Sequence, residues 1–472
     1  MNADGLQNCE ISQRGKNMIK NVQIITKHSQ VRELGNALKY DMLRELIKGA
    51  ATCQQLASGF GVSKQKIHYN LNKLMEEGLI EFQDGDSDNG KEVYYRATAK
   101  NYVLDFALGE HLGEGLINGR SVINRILESE YKIQLSDIAA RILRDSLKLR
   151  RGQKLLIVTG KYNVPLVEKI LIEAGRMSIR CTVLFQDAQM LKAKYDEYSL
   201  AAFNADYHHF NKLLKAHNVY LNLNGEARHI PLNDPEKQKL RMKHYATSHE
   251  ILQSRQIRIA MMPGLLKDTL SDKAIESELQ FWKALDIDYQ SLCRSTLETC
   301  ERFSDSGRLE LKNLGATLRF EVEKILAECG SFSDSAYQSP VINYPGGEVL
   351  MAPKSSSMQG EIKAEWGYAL GERIERPSIL IRNGEIHNYT AIKNQSILSQ
   401  AIESGGADGR KIALICMGTN PNISLANIDM SFKQKSRGLV TVYWGDNRSV
   451  GGKVQGSCEW FLQLENPSLS SI

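Results

Sequence analysis

The ten histidines of this 472-residue chain all fall at or before His387, so its C-terminal stretch has no imidazole for a metal centre or a proton relay. The eight cysteines are scattered with no C-x-x-C pair, which excludes a zinc ribbon or knuckle and a thioredoxin-type redox motif. They read as reduced thiols used as small core residues, as in a cytosolic protein. No apolar run approaches a membrane span, and Met1 to Lys20 is too polar for a signal peptide, so the expected location is cytoplasmic. Charge of one sign is not in excess: the formal net charge is +5, so nucleic-acid binding has to be argued from local pattern. H-E-x-x-H is absent, and the loop Thr159-Gly160-Lys161-Tyr162-Asn163 is neither a P-loop nor a G-x-G-x-x-G turn, which removes the zincin and nucleotide-binding readings.

What remains is ordinary globular composition, 24% charged and 7% aromatic, with length for two or three domains. Residues 1–30 lack periodicity and read as a mobile tail. From Val31, the residues Leu34, Leu38, Met42, Leu43, Leu46 and Ile47 make one helical apolar face. Thr52 and Gln55 form a capping box that opens a short helix, ended by Gly59 and Gly61. Ser63 caps the next helix, with a buried stripe of Ile67, Leu71, Leu74 and Met75, and Gly78 ends it. Two strand-like runs follow, Glu81–Gln83 and Glu92–Arg96, around the polar turn from Asp84 to Gly90.

Helices followed by a two-stranded ribbon are the order of a winged helix-turn-helix, placed at residues 31–103. The skeleton Leu56, Ala57, Gly61, Val62, Ser63, Leu71, Leu74, Glu76, Glu77, Gly78, Leu79, Ile80 is similar to the ArsR-type winged-helix family. That resemblance implies binding of double-stranded DNA, commonly as a homodimer. A helix about 10–12 Å across fits the major groove. Its solvent face offers Ser63, Lys64, Gln65, Lys66, His68, Tyr69, Asn72 and Lys73 to base edges and phosphates, and the wing adds Lys91 and Arg96. Against this, Val31–Asp105 carries ten Lys/Arg and eleven Asp/Glu, and Asp84, Asp86 and Asp88 sit in the wing, so a protein-interaction role fits the same fold. Cys53 stands alone, which removes ArsR-type metal sensing.

Residues 104–131 read as an amphipathic helical linker, and a helix over Ile138 to Leu149 follows. The strand Lys154–Thr159, a helical run through Leu166, Ile170 and Leu171, and the strand Arg180–Phe185 make a βαβ unit, hence a parallel sheet. Val219–Leu223, a helix around His244–Arg255, and Ile257–Met262 repeat the theme. The expected architecture is therefore α/β, with a small separate winged-helix (α+β) domain. Residues 132–300 hold the parallel-sheet part and 301–472 an α+β part.

Six segments in order, Leu147–Gly160, Ile257–Gly264, Asn313–Glu323, Asn343–Pro353, Met417–Pro421 and Trp444–Lys453, resemble the aminopeptidase T-like family of thermophilic metallo-aminopeptidases. That resemblance implies a two-metal site built from Glu, Glu, His, His and Asp, where paired metals activate water and clamp the amide oxygen. Glu348, in Pro345-Gly346-Gly347-Glu348, falls on the first Glu. Leu414 falls on the second Glu, Thr441 on the first His, and Glu459 and Phe461 on the closing His-x-Asp. Glu348 and Glu459 are thus the candidate metal ligands that remain, with Cys416 and Cys458 as alternative donors for a different, zinc-like mononuclear site. The function expected from these residues is a DNA-binding transcriptional regulator. Its aminopeptidase-like domain is then a pseudoenzyme that senses a ligand, for instance a peptide or amino acid, or oligomerises, with no cofactor. Two other readings fit the same chain: a metal-dependent aminopeptidase with altered ligands, and a repurposed enzyme acting on a peptide or small molecule.

Overall fold

The computed structural model of the protein describes residues 19–25, 27–84, 93–104, 123–124, 126–224, 230–262, 272–424 and 432–472. The chain forms two compact units, Met1–Ile126 with Leu266–Glu276, and Leu127–Leu265 with Ser277–Ile472.

In the first unit, strand β1 (Lys20–Ile25) precedes helices α1 (His28–Leu34) and α2 (Ala37–Lys48). Next come β2 (Ala51–Thr52), α3 (Cys53–Phe60), α4 (Lys64–Glu76), β3 (Ile80–Asp84), β4 (Val93–Ala97) and β5 (Ala99–Leu104). Local signals set most of these boundaries. The Thr52–Gln55 capping box is formed in both directions, and the Ser63 side chain accepts from the Lys66 amide. Gly61 ends α3 in the left-handed conformation. Met42, Leu46, Ile67, Leu71 and Leu74 meet Leu79, Ile80 and Tyr95 in one buried core. The helix expected from Val31 is in fact two, broken at Gly35 and restarted by Asn36, whose side chain accepts from the Lys39 amide at 3.2 Å. Of the tail expected over 1–30, residues 1–18 lie outside the described residues, while its last part is structured. Within it, β1 pairs in parallel with β5, and α1 begins at His28. The wing residues 85–92, including Asp86, Asp88 and Lys91, and residues 105–122 of the expected linker lie outside the described residues, whereas residues 126–129 are helical.

The second unit opens with α5 (Leu135–Arg141), which runs into a π turn, Ile142–Ser146, in place of the single helix expected to Leu149. Then follow β6 (Lys154–Thr159), α6 (Val164–Arg176), β7 (Arg180–Phe185), α7 (Ala188–Glu197), α8 (Leu200–Ala216), β8 (Val219–Leu223), α9 (Pro235–Ser254) and β9 (Arg258–Met261). After α10 (Asp272–Leu285) and α11 (Tyr289–Ser306) come β10 (Arg308–Asn313), β11 (Ala316–Glu328), β12 (Val341–Asn343) and β13 (Glu348–Pro353). The remaining elements are β14 (Gln359–Lys363), β15 (Trp366–Ala369), β16 (Glu372–Glu375), β17 (Ser378–Arg382), β18 (Glu385–Thr390), α12 (Gln395–Ser404), β19 (Ile412–Gly418), β20 (Leu439–Asp446), β21 (Gln455–Glu465) and β22 (Ser468–Ser471).

The parallel sheet has the order β12-β9-β8-β6-β7, and a twelve-stranded antiparallel sheet carries β16-β15-β21-β20-β19-β13-β11-β14-β17-β18, with β10 beside β11 and β22 beside β10. The division expected at residue 300 falls inside α11, and β12 from beyond it completes the parallel sheet, so the two parts share one compact unit. One face of the antiparallel sheet is apolar core: Val349, Met351, Ile415, Val442, Leu462 and the stacked pair Trp444–Trp460. Because side chains alternate along strands, the opposite face holds the neighbours of those residues.

Candidate functional site

On α4 the buried residues are Ile67, Asn70, Leu71 and Leu74. Ser63, Lys64, Gln65, Lys66, His68 and Tyr69 are exposed, and Asn72 and Lys73 half-buried. Asn70, absent from the expected stripe, turns inward because its side chain donates to the Lys66 carbonyl at 2.9 Å. Tyr69 is 61% exposed, with the Lys39 ammonium 5.9 Å from its ring centroid. Two expected phosphate contacts are already engaged. Lys73 pairs with Glu76 at 2.6 Å, and Arg96 pairs with Glu81 across the β3–β4 ladder at 2.6 Å. Lys64 and Lys66 have no ion-pair partner among the described residues, and they are the free cations of this face.

The positions matched to metal ligands converge on the non-core face of the antiparallel sheet. Strand register puts Glu348 beside Glu328 and Gly418, Leu350 beside Cys416, Cys416 beside Thr441, and Leu414 beside Tyr443, which faces Phe461. Glu459 lies two residues before Phe461 on the same face. The Pro-Gly-Gly turn sets this geometry: a Cβ on Gly346 would lie 2.3 Å from the Gly330 Cα, so only glycine allows the close crossing that places β13 against β11. Asn420 clamps the turn, donating to the carbonyls of Gly346 at 2.8 Å and Ala284 at 3.2 Å.

The chemistry on this face differs from that of a two-metal site. Glu348 is buried, and burial pushes its carboxyl up to about 7; Lys435 pulls it down, Glu328 pushes it up, and the Cys416 thiol hydrogen-bonds to it. Burial holds Cys416 well above the usual thiol range. The cation in this region is Lys435, which is not among the site residues expected from the sequence. Its ammonium is buried, 2.5 Å from Glu328 Oε2 and 2.5 Å from the Asn343 carbonyl. Glu328 Oε1 accepts from the amides of Asn343 at 3.1 Å and Gly330 at 3.3 Å. Further along the face the surface becomes aromatic, with Phe461 packed by Trp366, Tyr368 and Tyr443. Gln463 Oε1 is buried there without a hydrogen-bond partner among the described residues.

These residues do not fit a divalent metal. A protonatable buried Glu348, a resident ammonium, and apolar Leu414 and Phe461 oppose a site that needs several anionic oxygens. Among the described residues, no three His, Cys, Asp or Glu side chains are grouped to hold an ion. Glu459 is exposed, beside Gly445. The alternative Cys416–Cys458 donor pair also fails, because Cys458 packs toward the apolar core while Cys416 faces Glu348. The seven described cysteines are free thiols.

Comparison with known proteins fits both halves. Residues 34–81 match the family model of a helix-turn-helix domain. The solved structure of AmpT from Thermus thermophilus is 15% identical with a TM-score of 0.52, covering 72% of this chain and 97% of that one. The 2,5-dihydroxypyridine dioxygenase of Pseudomonas putida KT2440 is 14% identical with a TM-score of 0.48, covering 72% and 93%. A homodimeric winged helix-turn-helix DNA-binding domain from Mycobacterium bovis, a possible ArsR-family transcriptional regulator, is 24% identical over 15% of this chain and 63% of that one, with a TM-score of 0.14. No curated protein matches the chain. The first unit thus contains a helix-turn-helix domain, and the second has the AmpT fold. Among the described residues no helix is long and apolar enough to cross a membrane.

Proposed function

We propose that the protein is a cytoplasmic DNA-binding regulator, and that its AmpT-like unit senses a peptide or amino-acid ligand instead of hydrolysing one. The observation that carries the first half is the division of α4 into a buried apolar stripe and an exposed face of Lys64, Gln65, Lys66, His68 and Tyr69. Gln65 has the bidentate amide that suits adenine, and Lys64 and Lys66 suit phosphate. Gln65→Ala is expected to relax sequence preference, with a loss of about 1–3 kcal/mol at the matched base pair. Lys66→Ala is expected to weaken all sequences alike and to lower the salt slope by about one phosphate. Lys73→Ala should do less, since Glu76 already neutralises that ammonium. As a homodimer the protein would footprint two half-sites about one helical turn, roughly 34–36 Å, apart. Fluorescence anisotropy on selected duplexes at several salt concentrations checks the variants, and footprinting checks the half-site spacing. Folded Gln65 and Lys66 variants that bind DNA as the wild type does would make the domain a protein-interaction module.

The second half rests on the Glu328–Lys435 pair beside Glu348. An ammonium provides fixed positive charge but no Lewis-acidic position for water, so the water activation of a two-metal hydrolase has no counterpart in these side chains. Incubation with dipeptides and added Zn²⁺, Co²⁺ or Mn²⁺ is expected to give no turnover. Hydrolysis that disappears in Glu348→Ala would restore the aminopeptidase reading.

A further inference from the structure

The strand order of the parallel sheet, read as β7-β6-β8-β9-β12, is that of a doubly wound fold whose direction reverses between β6 and β8. At such a reversal the connecting loops diverge from the carboxyl ends of two strands and leave a crevice, the usual ligand position in open α/β sheets. A cleft of about 150 Å³ lies there, reached by Val158 near the end of β6 and Asn222 near the end of β8. It is far too small for a dinucleotide, and close to the cavity size that admits a single benzene ring.

Its wall is aromatic and already fixed. Phe203 meets Tyr207 edge-on at 5.1 Å, and Tyr207 stacks on His244 at 4.8 Å with the rings 5° from parallel. His244 is held in turn by Asn204 at 2.7 Å, and Phe210 packs edge-on against Tyr220 at 5.9 Å. These rings need no rearrangement to receive an apolar group, which lowers the ordering cost of binding. Among the described residues the same cleft is lined by one cation and one anion, Lys194 and Asp206, paired at 2.7 Å and 17% and 37% exposed. In this pair one ammonium proton meets one carboxylate oxygen, so each group keeps further donors or acceptors. An apolar pocket with both signs of charge at one place complements a ligand whose two opposite charges sit at one end of an apolar body.

We propose that this cleft binds a single free α-amino acid with a large apolar side chain. The α-carboxylate meets Lys194, the α-ammonium meets Asp206, and the side chain lies against Phe203, Tyr207 and Phe210. The proposal deepens, and rests on, the reading of this unit as a ligand-sensing module, and it places the ligand in the α/β half.

Isothermal titration of the full chain with L-phenylalanine and L-leucine tests it. Saturable binding is expected for at least one of them, weakened tenfold or more in Lys194→Gln and in Asp206→Asn and unchanged in Glu348→Gln. N-acetyl-L-phenylalanine amide, which keeps the ring and lacks both charges, is expected not to compete. That comparison needs no variant, so a misfolded mutant does not blunt the test. No heat with either amino acid, or equal binding of the capped compound, overturns the site. DNA affinity with and without 1 mM L-phenylalanine separates the two levels: unchanged DNA affinity with intact calorimetric binding keeps the site and removes the sensing role.

Discussion

Lys435→Met is expected to lower the stability of the large unit by about 3–5 kcal/mol, the usual loss when one partner of a buried ion pair is removed. Lys435 is 5% exposed and Glu328 1%, so the remaining carboxylate would be stranded away from water. Glu328 is also tied to the amides of Gly330 and Asn343, which fix it in place and prevent it from turning outward. Methionine matches the lysine stem in length and hydrophobicity, so the loss reports the charge and not a cavity. The double variant Glu328→Gln/Lys435→Met removes both charges and should recover a large part of the loss, because a buried pair stabilises little relative to neutral groups of similar shape. Urea unfolding of the three proteins measures the effect. A loss below about 1 kcal/mol for Lys435→Met would mean that water reaches Glu328 and that the face is open.

The contrast between Lys435 and α4 marks what the sequence could tell. Thr52, Gln55, Ser63 and Gly61 act within four residues of the helix ends they set, so the winged-helix segment was readable by eye. The expected bounds of β6, β7 and β8 match the strands. β6 carries the continuous apolar run Leu155-Leu156-Ile157-Val158 that a doubly covered sheet requires, β8 alternates buried and half-buried residues, and β7 is the edge strand. β1 was missed: its partner β5 is some eighty positions downstream, and Lys20, Asn21 and Gln23 dilute its apolar pattern. Lys435 was missed for a related reason. Its burial follows from the Asn420–Ser436 bridge and from β12 delivering the Asn343 carbonyl, neither of which leaves a local trace. At the Glu348 face the resemblance supplied positions that no periodicity would single out. Strand register then placed Leu414, Thr441, Glu459 and Phe461 on one face with Glu348. The switch-point cleft was legible in part: Phe203, Tyr207, Phe210 and Leu214 of α8 recur at helical spacing, but which sheet edge that stripe faces has no local trace.

Glu348→Gln is expected to make the protein more stable at pH 8 and to leave it nearly unchanged at pH 4. Burial holds the folded carboxyl at about 7 against an ordinary value of 4.5. Between those values the unfolded chain has released this proton and the folded chain has kept it, so the folded state binds more protons and stability falls as pH rises. Below 4.5 both states are protonated and the group contributes nothing; above 7 the destabilisation is complete, at about 3 kcal/mol from the size of the shift. Glutamine keeps the shape and an oxygen acceptor for the Cys416 thiol while it cannot ionise, so the variant lacks this pH-dependent loss. Urea unfolding of wild type and variant at pH 4, 6 and 8 isolates the contribution, since all other titrating groups are common to both proteins. The same experiment bears on metal chemistry. An ion bound by Glu348 would favour the carboxylate, hold its folded value low, and reverse the slope, so that Glu348→Gln would be the less stable protein at pH 8. A stability difference that does not change with pH would mean that Glu348 is hydrated and titrates as it does in the unfolded chain.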